Sequence, residues 1–402
     1  MGSPIEQVTA RCTRAYHTGS LVLRGSPSLA GWLLGWLSAE FAPHVLTGHA
    51  MSAIPASPLD RFACGLAMQK ADEVLDTALR GAFGEGYEDA VYHPLEPYTA
   101  KRPHVSRVLD AMLHRRKYVA TTSNISYGPK GRHNLLDVWR RPDLPEGGRA
   151  PVLIQVPGGA WAVNDKRGQA YPLMTRMTQL GWICVSINYR RSPGAAWPAH
   201  IVDVKRAIAW VRENIADYGG DPDFSVITGG SAAEHLSSLA APTTGDASLQ
   251  PGFEDADTSV QAAAPYYGVY DLTNTDNMHG LTMPLLERVV MQKRVADHPQ
   301  LYWDASPIHR VHEDAPPFFV LHGENDSIVP LSQAQAFCAA LSAVGANTVS
   351  LAELPNAHHA FDAIATLRCQ MAAEAVAAFL GTIYGRHVAA GVTRKVAVSP
   401  AS

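Results

Sequence analysis

Residues 224–241 read FSVITGGSAAEHLSSLAA. The first part, Phe224–Gly230, is an apolar run of the kind that forms a strand buried on both faces. From His235 the sequence turns helical. Ser231 stands at the junction. A tight turn from a buried strand into a helix pushes a serine hydroxyl out above a parallel sheet, which is the place of a nucleophile elbow. The usual spacing is G-x-S-x-G. Here Gly229 supplies the first small residue and Ala233 stands where the second glycine belongs. On its own, a serine in GGSAA is more often a helix cap than a nucleophile.

Segments on either side change that balance. Upstream, the apolar run PVLIQV ends in Pro157-Gly158-Gly159-Ala160-Trp161. A glycine-rich turn after a strand can aim backbone N–H groups at a developing oxyanion. Gly159 and Ala160 are the candidate donors, with the N–H of Ala232 beside them. Taken alone, a plain strand-to-loop turn is the commoner explanation. Downstream, FFVLHGENDSIVP puts Asp326 just past another buried run, and NAHHAF follows after one helix and one strand. Active-site groups collect at such strand ends in open parallel sheets. With 17 histidines in the chain, one loop histidine is cheap coincidence. Ser, Asp and His in that chain order, on three strand-end loops, are not.

The chemistry assigns roles. A serine hydroxyl is a poor nucleophile until a base takes its proton. His359 is the expected base, preferred to His358 because it stands two residues before the aromatic Phe361. Asp326 is the expected partner that orients the imidazole and stabilises its charged form. Glu324, nearer the strand end, is its rival.

The rest of the chain fits an alternating pattern. Tyr118–Tyr127 and Leu135–Arg140 flank a polar, glycine-containing turn. Helical sequence at Gly168–Leu180, the strand WICVSINYR and a long helix through IVDVKRAIAWVRENIADYG follow. VQAAAPYYG, PPFFVLHG and VSLAEL are further strands, with helical sequence at 363–384. Strands alternating with helices imply an α/β fold with a parallel sheet and helices on both faces. The front of the chain differs. Residues 57–84 carry a helix signature, with Ser57 as cap and Pro58 at the first position, and residues 105–113 repeat it. The expected division is a helical N-terminal extension or cap (1–115), a catalytic domain (116–387) and a loose C-terminal tail (388–402).

Composition narrows the classes. The chain has 402 residues, 47% of them hydrophobic and 17% charged, with a net charge of −4. That is globular composition with no electrostatic footprint for nucleic acid. Five widely spread cysteines form neither a disulfide framework nor a metal pair, and read as reduced, buried thiols. No helical zinc spacing, G-x-G-x-x-G or P-loop lysine is present, so no cofactor and no metal are expected. The uncharged stretch Gly25–Ala39 has 15 residues, short of the roughly 20 that span a bilayer. Its core, Leu29–Leu37, suits a packed helix, a peripheral membrane or lipid contact, or an export signal. The expected location is cytoplasmic, with membrane association through this segment as the variant.

Residues 118–384 resemble the hormone-sensitive-lipase-like branch of the α/β-hydrolase esterases, the bacterial family IV type. The resemblance is carried by Tyr189, Arg190, Pro193, Pro198 and Asp203, by Gly219, Gly220, Asp221 and Pro222 ahead of the nucleophile strand, and by HGENDSIVP as the acid loop. It implies a mostly parallel, eight-stranded-type sheet. It also implies hydrolysis of carboxylic esters without a cofactor, under a cap made partly of N-terminal helices. Short- to medium-chain esters are the expected substrates. Leu29–Leu37 then becomes a wall of the acyl pocket, and Trp161, Tyr189, Tyr266, Tyr267 and Phe361 are candidate lining residues, with core packing expected for at least half of them.

The chain departs from the branch at Pro157, where a histidine is usual, and at Ala233 and Glu234, where glycines are usual. A carboxylate three residues past the nucleophile opposes an oxyanion, and a loss of about 1.4 kcal/mol is tenfold in rate. Slower turnover is therefore expected unless Glu234 turns to solvent. The alternative function is a catalytically weak or inactive ligand-binding protein on the same fold.

Overall fold

The apolar runs of the sequence become neighbouring strands of one sheet. The structure, a computed structural model, describes residues 58–95, 122–145, 147–275 and 282–398. The strands are β1 (Ile125–Ser126), β2 (Leu135–Trp139), β3 (Ala150–Val156), β4 (Ile183–Ile187), β5 (Gly220–Gly230), β6 (Ala262–Tyr266), β7 (Phe318–Gly323) and β8 (Val349–Leu354). Their order is β1-β2-β4-β3-β5-β6-β7-β8. The pairs β1/β2 and β2/β4 are antiparallel, and all others are parallel. Strands β3, β4, β6 and β7 are buried at every position. Helices cover both their faces, so their sequences show no alternation.

Each face has its own apolar cluster. On one side lie α3 (Ala199–Asn214), α4 (Ala232–Ala240) and α5 (Leu331–Ala343), over a core that includes Ile154, Ile227, Leu236 and Phe337. On the other lie α1 (Pro58–Phe83), α2 (Tyr171–Gln179) and α6 (Leu367–Val398), over Leu153, Val226, Phe319 and Leu380. Helix α1, at the place the capping serine and Pro58 predict, packs on β8 and α6. The Ser350 hydroxyl on β8 donates to the Ala78 carbonyl of α1 at 2.7 Å. The remaining parts of the expected cap, residues 1–57 and 96–115, lie outside the described residues, as do 116–121. The helical signature at 105–113 and the apolar run Leu29–Leu37 fall there.

The expected loose tail is corrected in part. Helix α6 runs on through 388–398. Ala389 and Ala390 favour helix, no proline interrupts before Pro400, and Val388 still packs against the apolar cluster. Cys184, Cys338 and Cys369 are buried thiols, as the cysteine pattern predicts. Cys12 lies outside the described residues.

The sheet brings its functional loops to one edge. The residues following β3, β5, β7 and β8 at their C-terminal ends carry Gly158–Ala160, Ser231, Asp326 and His359 respectively.

Candidate active site

Ser231 takes φ 60° and ψ −123°, a left-handed backbone rarely adopted by a residue with a side chain. The neighbouring strand holds it there: its N–H donates to the Tyr266 carbonyl at 3.0 Å. Helix α4 starts at the next residue, and the Glu234 and His235 N–H groups donate back to the Ser231 carbonyl at 2.9 and 3.3 Å. Local strain of this kind persists only where the surroundings over-determine it.

His359 joins two of the expected residues. Its Nε2 lies 2.8 Å from Ser231 Oγ and its Nδ1 lies 2.7 Å from Asp326 Oδ2. The other Asp326 oxygen accepts the N–H groups of Ile328 and Val329 at 2.9 and 2.8 Å. The carboxylate side chain is fully buried, with His322 Nε2 3.5 Å from Oδ2. Burial pushes its pKa up. The charge and hydrogen bond of His359, with His322 and the Val329 N–H, outweigh that and hold it below the ordinary carboxylate range. An ionised Asp326 requires the proton of His359 on Nδ1, which leaves Nε2 to accept from the serine hydroxyl. The rivals stand apart from these bonds: Glu324 is exposed, and His358 is fully buried beside His359.

The turn after β3 has three consecutive residues in the left-handed region: Gly159 (φ 111°), Ala160 (φ 51°) and Trp161 (φ 57°). Among the described residues, the N–H groups of Gly159, Ala160 and Ala232 donate to no acceptor. The turn is held from several sides. Tyr189 Oη donates to the Pro157 carbonyl at 3.0 Å, so the proline in place of the usual histidine keeps a working anchor. The carbonyl of Trp161 accepts the Ser192 N–H at 2.9 Å. Arg190, next to Tyr189, grips Asp203 of α3 with Nε and Nη2, each at 2.9 Å. The Tyr-Arg…Asp motif is therefore a brace for the turn after β3.

Glu234 takes the inward course. It is fully buried, and its Oε1 accepts the Ser238 hydroxyl at 2.8 Å. Its Oε2 lies 1.3 Å from where a Cβ on residue 268 would stand, a space that only Gly268 leaves open. Burial pushes its pKa well above the ordinary glutamate value, against weaker opposing hydrogen bonds from Tyr270 and Ser238.

A family model described as BD-FAE matches residues 136–341. The chain belongs to the BD-FAE family. It is 59% identical to Esterase LipQ of Mycobacterium tuberculosis, over 96% of each chain. It is 47% identical to the probable carboxylic ester hydrolase LipM of the same organism, over 94% of this chain and 92% of that one. Among solved structures it is similar to a truncated form of carbohydrate esterase from gut microbiota, 25% identical, with a TM-score of 0.56 over 66% of this chain and 97% of that one. This BD-FAE member is thus an α/β-hydrolase esterase of the hormone-sensitive-lipase-like kind, as the motifs imply, and it hydrolyses carboxylic esters. Nothing in these relatives favours the non-catalytic, ligand-binding alternative.

In this BD-FAE chain all five candidate aromatics are buried in the apolar clusters: Trp161 and Tyr189 on one face of the sheet, Tyr266, Tyr267 and Phe361 on the other. Tyr267 also lies edge-on to the His359 ring, with centroids 4.8 Å apart. Three polar residues around the site escape sequence reasoning: Gln169, His235 and Asp362. The last two carried a faint signal, since they follow expected catalytic residues by four and three positions. Among the described residues, no helix is long and apolar enough to cross a membrane, and no group of three or more His, Cys, Asp or Glu is arranged to hold a metal.

Proposed function

We propose that this esterase works through Ser231 as nucleophile, His359 as general base and acid, and Asp326 as the group that orients and stabilises the imidazole. Ser231 Oγ attacks the ester carbonyl carbon as Nε2 of His359 takes its proton. The negative oxygen of the tetrahedral intermediate is received by the N–H groups of Gly159, Ala160 and Ala232. Collapse breaks the bond to the alcohol, which leaves with the proton from His359, and an acyl-serine remains. Water repeats the sequence and releases the acid. Positioned acid–base catalysis contributes roughly 10²–10⁴-fold, and one oxyanion donor roughly 10²–10³-fold.

The observation that carries this reading is His359 within hydrogen-bond reach of both Ser231 and Asp326. Against the slower turnover expected from a charge at Glu234 stands its burial, which disfavours the charged form of that side chain. A large gain in turnover in the Ala233→Gly, Glu234→Gly protein would restore it. The preference for short- to medium-chain acyl groups and the role of residues 1–115 as a substrate-selecting cap rest on the family resemblance. A protein lacking residues 1–56 should shift chain-length preference, and liposome flotation of the two forms tests the lipid contact.

The central test is a series of p-nitrophenyl esters from acetate to palmitate, with fluorophosphonate labelling, on the wild type and Ser231→Ala. Labelling and turnover should both vanish in the variant. Turnover that survives the substitution overturns the assignment.

A further inference from the structure

Residues outside the triad and its donors form one hydrogen-bonded line. The Gly158 N–H donates to Gln169 Oε1 at 2.7 Å, and Gln169 Nε2 donates to Tyr267 Oη at 3.0 Å. Tyr267 Oη in turn donates to Asp362 Oδ1. The ends of this line lie on two loops whose relative position matters to catalysis. Gly158 immediately precedes the donor Gly159, and Asp362 follows His359 by three residues. Between them, the Tyr267 ring packs edge-on against the His359 imidazole, with centroids 4.8 Å apart and planes at 62°.

The elbow is built to let this line pass. A Cβ on Gly158 would come 2.9 Å from Gln169 Oε1 and 2.3 Å from the Gly230 carbonyl. A Cβ on Gly230, just before Ser231, would come 2.6 Å from both Gln169 Nε2 and Tyr267 Oη. Both glycines therefore border the line, directly behind the nucleophile.

The line also has a direction. A backbone N–H can only donate, so from Gly158 each member in turn donates toward Asp362, whose carboxyl has its pKa raised by burial and whose Oδ1 accepts from Tyr267. That fixes the orientation of the Gln169 amide and commits its oxygen to Gly158, and hydrogen bonds aligned in this way strengthen one another. The peptide group between Pro157 and Gly158 is then pinned at both ends: Tyr189 Oη on its carbonyl at 3.0 Å and Gln169 on its N–H. With that peptide fixed, the next N–H, that of Gly159, has a set direction.

We propose that Gln169, Tyr267 and Asp362 form a positioning strut that keeps the oxyanion turn in register with the histidine loop during ester hydrolysis. The proposal rests on the triad and donor assignment above. None of the three is a triad or donor residue, and only the Tyr267 ring meets one of them, the His359 imidazole. They act by holding donors where the tetrahedral oxygen forms, so their effect belongs to the transition state and not to substrate binding.

The test uses full-length Tyr267→Phe, which keeps the ring and cuts the line at its centre. Gln169→Leu, at a half-buried position, is the second variant should the first fail to fold. Asp362→Asn keeps an acceptor oxygen. For each, kcat and KM are measured on p-nitrophenyl butyrate, with thermal unfolding and the affinity of a trifluoromethyl ketone, whose hemiketal oxygen mimics the intermediate. Tyr267→Phe and Gln169→Leu should lose about 10- to 100-fold in kcat with KM within about twofold, and ketone affinity should fall in parallel with kcat/KM. Asp362→Asn should keep kcat within about threefold. Unchanged ketone affinity in folded Tyr267→Phe, or an Asp362→Asn loss as large as that of Tyr267→Phe, overturns the strut. Ser231→Ala separates the two levels: if it still turns over, the triad assignment has failed, whereas an inactive Ser231→Ala beside a fully active Tyr267→Phe rejects the strut alone.

Discussion

The indole N–H of Trp161 donates to Nδ1 of His235 at 3.2 Å in the protein interior. The other ring nitrogen of His235 lies 2.7 Å from the Ala305 carbonyl, which can only accept, so Nε2 carries the proton and Nδ1 is left to receive the indole. Trp161 directly follows Ala160, a proposed oxyanion donor, and His235 is four residues past Ser231. The pair therefore fastens helix α4 to the turn after β3, the proposed oxyanion turn. His235→Phe keeps an aromatic ring and loses both bonds. Steady-state kinetics should show kcat lower by about tenfold, equivalent to about 1.4 kcal/mol, with KM little changed. A fully folded variant with wild-type kcat would remove this role.

Asp326→Asn should lower kcat by about 10³- to 10⁴-fold while the protein stays folded, because an amide in that place no longer enforces the tautomer in which Nε2 accepts. Glu324→Gln, at the exposed rival position, should stay within about twofold. Equal losses in the two variants would mean that the acid has been misassigned.

Glu234→Gln tests the buried acid through stability. The folded-state pKa of Glu234 is raised above the ordinary 4.5. The group therefore contributes its full stability below pH 4.5, and that contribution is lost as pH rises toward the folded-state value. Glutamine does not titrate. The melting temperature of Glu234→Gln relative to wild type should accordingly increase between pH 5 and pH 8, and an equal difference at both pH values would contradict a neutral buried acid.

His200 works with the opposite sign. It is fully buried with Nε2 3.0 Å from Ser192 Oγ. Burial first, then the nearby His235 and Arg190, lowers its pKa from 6.5 to about 3. Its contribution is complete above pH 6.5 and is lost as pH falls toward 3. Wild-type protein should melt at a lower temperature at pH 5 than at pH 7, and His200→Gln should flatten that dependence. An unchanged slope in the variant would assign the acid sensitivity to other groups.

The sheet was legible because burial on both faces leaves unbroken apolar runs, as at PVLIQV and FFVLHG. The positions of Ser231 and Asp326 were legible because each falls just past such a run, whereas His359 follows β8, an edge strand with alternating burial, and was legible from its place after Ser and Asp in chain order. The course of Glu234 was not. Its rotamer depends on the empty space at Gly268, more than thirty residues away and visible only after β5 and β6 pair. Gln169, Tyr267 and Asp362 were hidden for a similar reason: their partnership joins three loops, and no local spacing encodes it. The extent of α6 was missed because alanine-rich sequence after His387 has weak amphipathic patterning, although alanine itself favours helix.

Helix α1 bears on how this chain can be dissected. Leu75, Ala78 and Leu79 share a cluster with Phe319, Ala352 and Leu354 of the sheet. Burying one leucine is worth about 1.5–3 kcal/mol, against a total stability of about 5–15 kcal/mol for a typical domain. A fragment begun at residue 116, where strand-like sequence takes over, would strip this layer from β8 and leave an apolar face uncovered. Such a fragment should aggregate on expression even though it retains every residue assigned to catalysis. The smallest expressible unit is accordingly set by the helix that covers the sheet and not by the span of the chemistry.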